Sequence, residues 1–148
     1  VAYIEPVYER GFHIEIFGEV LRLIHAHNPG IAFSLGANFP ETVRRIAFTV
    51  FPLIVIAGLI AYYVRHGEAF SGLERWSIAG IVGGGLGNLI DRVFRPAGVV
   101  DFVDVKFYGL FGLERWPTFN VADASVVVCG ILLVASILVA EARGEEEA

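Results

Sequence analysis

The most constraining feature of the sequence is an uncharged run of 19 residues, IAFTVFPLIVIAGLIAYYV, at positions 46–64. A helix of about 20 apolar residues crosses the ~30 Å hydrocarbon core of a bilayer, and membrane helices tolerate an internal proline such as Pro52. The alternative is a buried helix of a soluble bundle, which would normally carry charged residues on its outer face. The run has none, and only 18% of the chain is charged, against about 25% in soluble domains. The run therefore predicts a transmembrane helix.

Two further uncharged runs follow it, at 76–90 and 124–140. Each reaches the length of a span only if the polar residues at its ends lie at the membrane boundary. We therefore predict a mainly α-helical membrane protein with three visible transmembrane helices, at 43–64, 76–94 and 121–141.

The remaining residues are more polar and indicate strands. Residues 12–17 and 21–23 alternate partly between apolar and polar, and 99–103 is rich in β-branched residues, which predicts a small β-sheet. Two crossings separate 1–42 from 95–120, so both segments are expected on one side of the membrane. The 65–75 loop and the acidic tail at 142–148 are expected on the other side. We interpret 1–148 as a single membrane-embedded domain, with 1–42 as its sheet segment.

Charge and cysteine content exclude several kinds of partner and site. The net charge of −5 argues against nucleic acid as a partner. Cys129 is the only cysteine, which excludes internal disulfides and multi-cysteine metal motifs, and its mid-span position indicates a packing role. His25 and His27 share a strand face but lack further ligands nearby, so surface or structural roles are favoured over a metal site. We predict no metal and no cofactor.

Polar residues at membrane depth are costly and indicate function by default. Four segments stand out, at 28–34, 83–92, 99–102 and 119–125. Read alone, the first is a turn signal, and the second is a polar helix end in which Asp91 and Arg92 balance each other. Glycine pairs at 80/84 and 83/87, in and just before this second segment, permit close helix packing.

Asp101 and Asp123 are the carboxylates that we expect to carry chemistry. Two carboxylates that share a site do not ionise together easily, so one can act as general base on a water while the other, protonated, polarises a carbonyl. The alternatives are a helix N-cap for Asp123 and a solvated strand position for Asp101. Asp104 competes with Asp101, because it lies three residues further along VVDFVDV.

Together, the four segments resemble the lipoprotein signal peptidase (signal peptidase II) family. The pattern N-x-G-x-A-F-S is met at 28–34, G-G-x-x-G-N-x-x-D-R at 83–92, V-V-D-F at 99–102 and F-N-x-A-D at 119–123. The matches follow the order of the family and extend over about two-thirds of the chain.

The resemblance implies a four-span aspartyl endopeptidase of the bacterial inner (cytoplasmic) membrane, with an extracytoplasmic sheet and an active site near that face. Such enzymes remove the signal peptide of a prolipoprotein just before its diacylglyceryl-modified cysteine. The implied partners are the lipidated prolipoprotein, membrane lipid and a globomycin-type inhibitor. By motif, the catalytic pair is Asp101 and Asp123. The implied supporting or substrate-binding residues are Asn28, Gly30, Asn88, Asp91, Arg92, Asn120 and Ala122.

The sequence departs from the family at its beginning. The D-Q-x-[ST]-K motif of the family's first span is absent, and the chain opens where that helix should be ending. We therefore expect a further span before residue 1. Counted alone, the arginines and lysines would place the sheet side in the cytoplasm, whereas the resemblance places it outside.

The alternative function is a small membrane transporter or a non-catalytic membrane scaffold. Asp91, Asp101 and Asp123 would then be proton or cation sites. Transporters often carry internal repeats, and none is visible in this sequence.

Overall fold

Three strands and three long helices account for most of the residues that the structure, a computed structural model, describes: 13–28, 40–95 and 97–146. In chain order they are β1 (Ile14–Phe17), β2 (Leu21–Asn28), α1 (Glu41–His66), α2 (Gly72–Phe94), β3 (Val99–Val105) and α3 (Val121–Glu146). The chain divides into two compact units, Val1–Phe48 with Asp91–Asn120, and Thr49–Ile90 with Val121–Ala148. The single domain predicted for 1–148 stays a prediction.

The first unit contains an antiparallel sheet in the order β1-β2-β3. Its most buried apolar side chains are Ile24, Val99 and Val100, from the two longer strands. The strands predicted at 12–17, 21–23 and 99–103 are confirmed, apart from residue 12, which lies outside the described residues. The predicted turn at 28–30 is described only at Asn28, which ends β2.

Two of the described helices are long and apolar enough to cross a membrane. They comprise Ile46–Ala69 and Val121–Arg143, with mean hydropathies of 2.2 and 2.4. Only 6% and 0% of the most apolar 18-residue stretch in each is buried, which is the reverse of a helix in a soluble core. The helix predicted at 76–94 is present as α2 but is not among these two, so its crossing stays a prediction.

Helix α2 begins earlier than predicted. We expected a loop over 65–75, whereas the chain is helical again from Gly72. The Ser71 amide donates to Glu74 Oε2 at 2.7 Å, and the Glu74 amide donates to Ser71 Oγ at 3.3 Å. This reciprocal pair is a capping box, which satisfies two amides that a helix start leaves without partners. The S-x-x-E pattern at 71–74 was the signal that could have placed this start.

The last helix also differs from its predicted bounds. It begins at Val121 as predicted but continues to Glu146, so much of the tail that we expected as a solvated end is helical.

Candidate active site

Asp101 is a buried carboxylate at the centre of a small amide cluster. Its side chain is on β3 and the residue is only 2% exposed. Asn28 donates its side-chain amide to Asp101 Oδ2 at 3.0 Å, and Asn120 donates to Asp101 Oδ1 at 3.0 Å. Each carboxylate oxygen therefore accepts one amide, so the solvated position considered from the sequence is wrong.

An irregularity in the sheet helps to place this carboxylate. Leu23 pairs with Val103 but Ala26 pairs with Asp101, so β2 has one more residue than β3 between the two pairs. On the other side of β3, the amides of Phe102 and Val103 both donate to the Phe119 carbonyl, at 3.1 and 2.8 Å. Such bulges break the regular alternation of side chains and re-aim them. The bulge lies next to Asp101 and between the strand positions of Asp101 and Asp104.

Asp104 has a different environment from Asp101. Although it is only 4% exposed, its partners are arginines: Arg22 donates to Oδ2 through Nε and Nη2, at 3.1 and 2.9 Å. Arg115 donates to Oδ1 through Nε, and its Nη atoms reach the Glu19 carbonyl at 3.3 Å. Asp104 thus joins three segments of the sheet as an ion-pair centre, which favours Asp101 as the chemically active carboxylate of this strand.

Asp91 links the end of α2 to the beginning of β3. Its Oδ2 accepts the Val100 amide at 3.2 Å, and its Oδ1 accepts Arg95 Nε at 2.8 Å. From the sequence we expected Asp91 and Arg92 to balance each other's charge. In the structure, Asp91 forms its ion pair with Arg95. Arg92 is half-buried in the last turn of α2.

Asp123 is held within the second unit. It lies in the first turn of α3, which begins at Val121, so it is inside the helix and not at the N-cap that the sequence also permitted. Asn88 on α2 donates its side-chain amide to Asp123 Oδ1 at 2.7 Å.

Two glycines let α2 and α3 approach closely enough for that contact. A Cβ on Gly84 would lie 2.5 Å from the Ala122 carbonyl oxygen, and a Cβ on Gly80 would collide with Cys129 Sγ. Ser125 Oγ donates to the Gly80 carbonyl at 2.9 Å. The packing predicted for the 80/84 pair and for Cys129 is confirmed, whereas a Cβ on Gly83 would meet nothing within 4 Å.

Comparisons with known proteins assign the family. A sequence profile described as Signal peptidase (SPase) II matches residues 2–139. The lipoprotein signal peptidase of Treponema pallidum is 46% identical over 125 residues, which cover 84% of this chain and 67% of that protein. The lipoprotein signal peptidase of Treponema denticola is 48% identical over 125 residues, 84% of this chain and 72% of that protein.

The chain belongs to the signal peptidase II family. The resemblance seen in the four motifs is thereby confirmed, and membership implies a protease. A solved structure of a bacterial membrane enzyme, determined by the in meso method, superposes with a TM-score of 0.72 at 27% identity, over 86% of this chain and 71% of that chain. The family and the apolar helices together indicate an integral membrane protein.

The motif residues of the chain fall into local clusters. In the first unit, Asn28 and Asn120 contact Asp101, and Asp91 contacts the backbone beside it. In the second unit, Asn88 contacts Asp123, and Ala122 is at the close approach of α2 and α3. Gly30 lies outside the described residues, as do Ala32, Phe33 and Ser34 of the same motif.

The sequence did not predict several of the polar contacts in the structure. The most extensive of these contacts are made by Arg22 and Arg115 around Asp104. Arg22 and Asp104 are 82 residues apart, and no local sequence pattern predicts such a pairing. The hydrogen bond from Ser125 to the Gly80 carbonyl was also missed, although Ser125 ends the segment singled out at 119–125. The histidines predicted to lack a metal role contact each other edge to face at 4.6 Å. Among the described residues, no group of three or more potential metal ligands was found.

Proposed function

We propose that this chain is an aspartyl endopeptidase that removes the signal peptide from diacylglyceryl-modified prolipoproteins, cutting before the lipidated cysteine. Family membership and the lipoprotein signal peptidases of Treponema support the substrate. The observation that carries the mechanism is the pair of asparagine-held carboxylates, Asp101 and Asp123. The site would act near the extracytoplasmic face of the inner membrane.

The chemistry needs two carboxyl groups that hold one proton between them. The ionised group takes a proton from water while the water oxygen attacks the scissile carbonyl carbon. The protonated group donates its hydrogen to the carbonyl oxygen as negative charge develops there. Collapse of the tetrahedral intermediate breaks the C–N bond, and a proton passes to the leaving amine.

The asparagines suit this chemistry because an amide donates a hydrogen bond without adding a charge. Asn28 and Asn120 fix both oxygens of Asp101, and Asn88 fixes one oxygen of Asp123. Only two residues separate Asn120 from Asp123 in the sequence, so one short segment serves both carboxylates. Gly30, Asp91, Arg92 and Ala122 are proposed as further supporting or substrate-binding positions.

The test is cleavage of a lipidated prolipoprotein by the membrane-embedded protein. Asp101→Asn and Asp123→Asn should each abolish cleavage while the protein still inserts and melts cooperatively. Glu68→Gln, which changes an exposed carboxylate in the turn after α1, is the matched control and should cleave normally. Globomycin should inhibit cleavage by the unmodified chain and by Glu68→Gln, which checks the expected class of inhibitor.

Cleavage that persists in either aspartate variant would rule out the paired mechanism. Proton-coupled uptake into liposomes without proteolysis would instead support the transporter, the alternative function, which the family assignment disfavours.

A further inference from the structure

The chain that follows β3 carries an exposed apolar tip. Tyr108 is 65% exposed and Phe111 is 84% exposed, and Leu110 between them is exposed as well. Apolar side chains scattered singly over a surface are ordinary, but a contiguous group marks an interaction site. Three large apolar side chains within four residues form such a group.

The backbone holds this tip in a defined shape. The Phe107 amide donates to the Glu114 carbonyl at 2.9 Å, and the Gly109 amide donates to the Leu113 carbonyl at 3.0 Å. These two hydrogen bonds close the loop at its base. Tyr108 and Phe111 have φ angles of +53° and +56°, a region that bulky residues seldom adopt. Such conformations persist only where the surrounding structure imposes them, and they cluster at functional positions. The aromatic rings are thus presented outward by a constrained turn.

The turn between β1 and β2 exposes further apolar side chains. The Lys106 amide donates to the Val20 carbonyl at 2.9 Å, which brings this turn beside the base of the tip. Phe17, in the same turn region, is 71% exposed. We call Phe17, Val20, Tyr108, Leu110 and Phe111 together the apolar end of the sheet.

Two cationic side chains lie at the base of the apolar end. Lys106 Nζ is 5.1 Å from the centre of the Tyr108 ring, a cation–π distance, and 2.6 Å from Glu19 Oε2. Arg115 is paired with Asp104 and the Glu19 carbonyl. Both cations are paired with carboxylates, so the aromatic rings stand beyond a band of balanced charges. Exposed aromatic rings next to polar groups favour the boundary between hydrocarbon and headgroups.

We propose that the apolar end of the sheet inserts into the interfacial layer of the membrane. The membrane is the apolar phase within reach, since the membrane-capable helix begins at Val121. Only residues 114–120 separate Leu113 from that helix, and eight extended peptide units limit the distance to roughly 28 Å. The proposal needs a membrane-embedded chain but does not depend on the catalytic mechanism.

The experiment uses spin-label accessibility in the full chain reconstituted into vesicles of phosphatidylcholine with phosphatidylglycerol. Phe111→Cys in a Cys129→Ser background provides one labelling position at the tip. Glu15→Cys in the same background is the matched control, on an exposed position of β1 in the same sheet. Collisions with oxygen report a lipid environment, and collisions with a water-soluble nickel complex report an aqueous one.

We expect the label at 111 to shift toward oxygen collisions relative to the label at 15. Nickel collisions as frequent at 111 as at 15 would overturn the proposal. Spin–spin broadening at 111 that disappears on dilution with unlabelled protein would also overturn it, because a second copy would then cover the tip. If Phe111→Cys does not fold, Leu110→Cys provides the same measurement.

Discussion

At the scale of single residues, the carboxylates of the chain differ in the groups that hold them. Asp101 and Asp123 accept hydrogen bonds from asparagine amides, whereas Asp104 is paired with Arg22 and Arg115. The two arginines tie Asp104 to neighbouring segments of the sheet, which suits a structural ion pair. Amides orient a carboxyl group without placing a charge beside it, which suits a group that acts as general acid or base.

This contrast predicts the effect of removing one amide. Asn88→Ala deletes the donor to Asp123 Oδ1, and with it one of the contacts that orient this carboxyl group. A hydrogen bond to a charged group contributes about 1.5–3 kcal/mol, so kcat should fall by roughly tenfold to a hundredfold if the bond orients the reacting group. Steady-state cleavage assays should show this fall with little change in KM. An unchanged kcat in a correctly folded variant would contradict the positioning role.

The sequence could predict which residue types form the site but not how they pair. Asp101 and Asp104 occur in the same VVDFVDV segment, and nothing local separates a catalytic candidate from an ion-pair centre. Only the motif resemblance favoured Asp101. The distinction depends on Arg22, which is 82 residues away from Asp104, and such long-range pairing is set by strand register.

At the scale of secondary-structure elements, the close approach of α2 and α3 depends on Gly84. Its Cβ position is occupied by the Ala122 carbonyl and by Val126 Cγ2, at 2.5 and 2.9 Å. Polar and small residues replace the hydrophobic effect as the source of helix association in a membrane. A neighbouring glycine, Gly83, has open space at the same position.

The two glycines therefore form a matched pair for mutation. Gly83→Ala should be neutral or stabilising by up to about 1 kcal/mol, because alanine favours a helix more than glycine does. Gly84→Ala should destabilise by about 1–3 kcal/mol, because the added methyl group displaces the α3 backbone. Thermal unfolding in detergent measures both. Equal melting temperatures for the two variants would contradict the packing.

In the sheet, the Glu19–Lys106 pair predicts a dependence of stability on pH. The hydrogen bond from Lys106 lowers the pKa of Glu19 below its ordinary 4.5, and the bond to Glu19 raises the pKa of Lys106 above 10.5. The contribution of Glu19 is therefore complete above pH 4.5 and is lost as the pH falls through the folded pKa. The contribution of Lys106 is complete below pH 10.5 and is lost as the pH rises through its folded pKa.

Glu19→Gln tests this pair. The melting temperature of the unmodified chain should exceed that of the variant slightly at pH 7, and the difference should shrink on acidification below pH 4.5. The effect is small because both groups are exposed to solvent screening. A difference that stays constant from neutral to acid pH would show that the pair does not contribute.

The elements themselves were largely predictable, and the exceptions have physical causes. Uncharged runs predicted the centres of α1, α2 and α3, because the length of an uncharged run is by itself a signal of a membrane helix. The start of α2 was missed because Ser71 and Glu74 act through side-chain caps and not through hydrophobicity. The bulge between β2 and β3 was also missed, since alternation predicts a strand but not a break in its register.

At the scale of the whole molecule, the open question is how many times the described residues cross the membrane. We propose that α2 crosses as well as α1 and α3, with the sheet outside the cell membrane and the α1–α2 turn inside. Glycines lower the mean hydropathy of α2, whereas its packing against α3 uses them as contacts. Mean hydropathy therefore understates the tendency of such a helix to cross a membrane.

Cysteine labelling of spheroplasts with a membrane-impermeant maleimide tests this topology. In a Cys129→Ser background, Glu15→Cys and Glu114→Cys should react in intact spheroplasts, and Glu68→Cys should react only after lysis. All three positions are exposed, so reactivity reports sidedness. Because Glu68 precedes α2 and Glu114 follows it, equal protection of these two positions would show that α2 does not cross.

The asparagines around the two carboxylates also bear on the chemical durability of the protein. Deamidation would turn an amide donor into a third carboxylate, which cannot donate to its neighbour when ionised and would repel it. The reaction proceeds through cyclisation onto the next backbone amide, which glycine makes easy and bulky residues hinder. Asn28, Asn88 and Asn120 are followed by Pro29, Leu89 and Val121. These asparagines should therefore deamidate slowly, and the site should lose little activity by this route during storage.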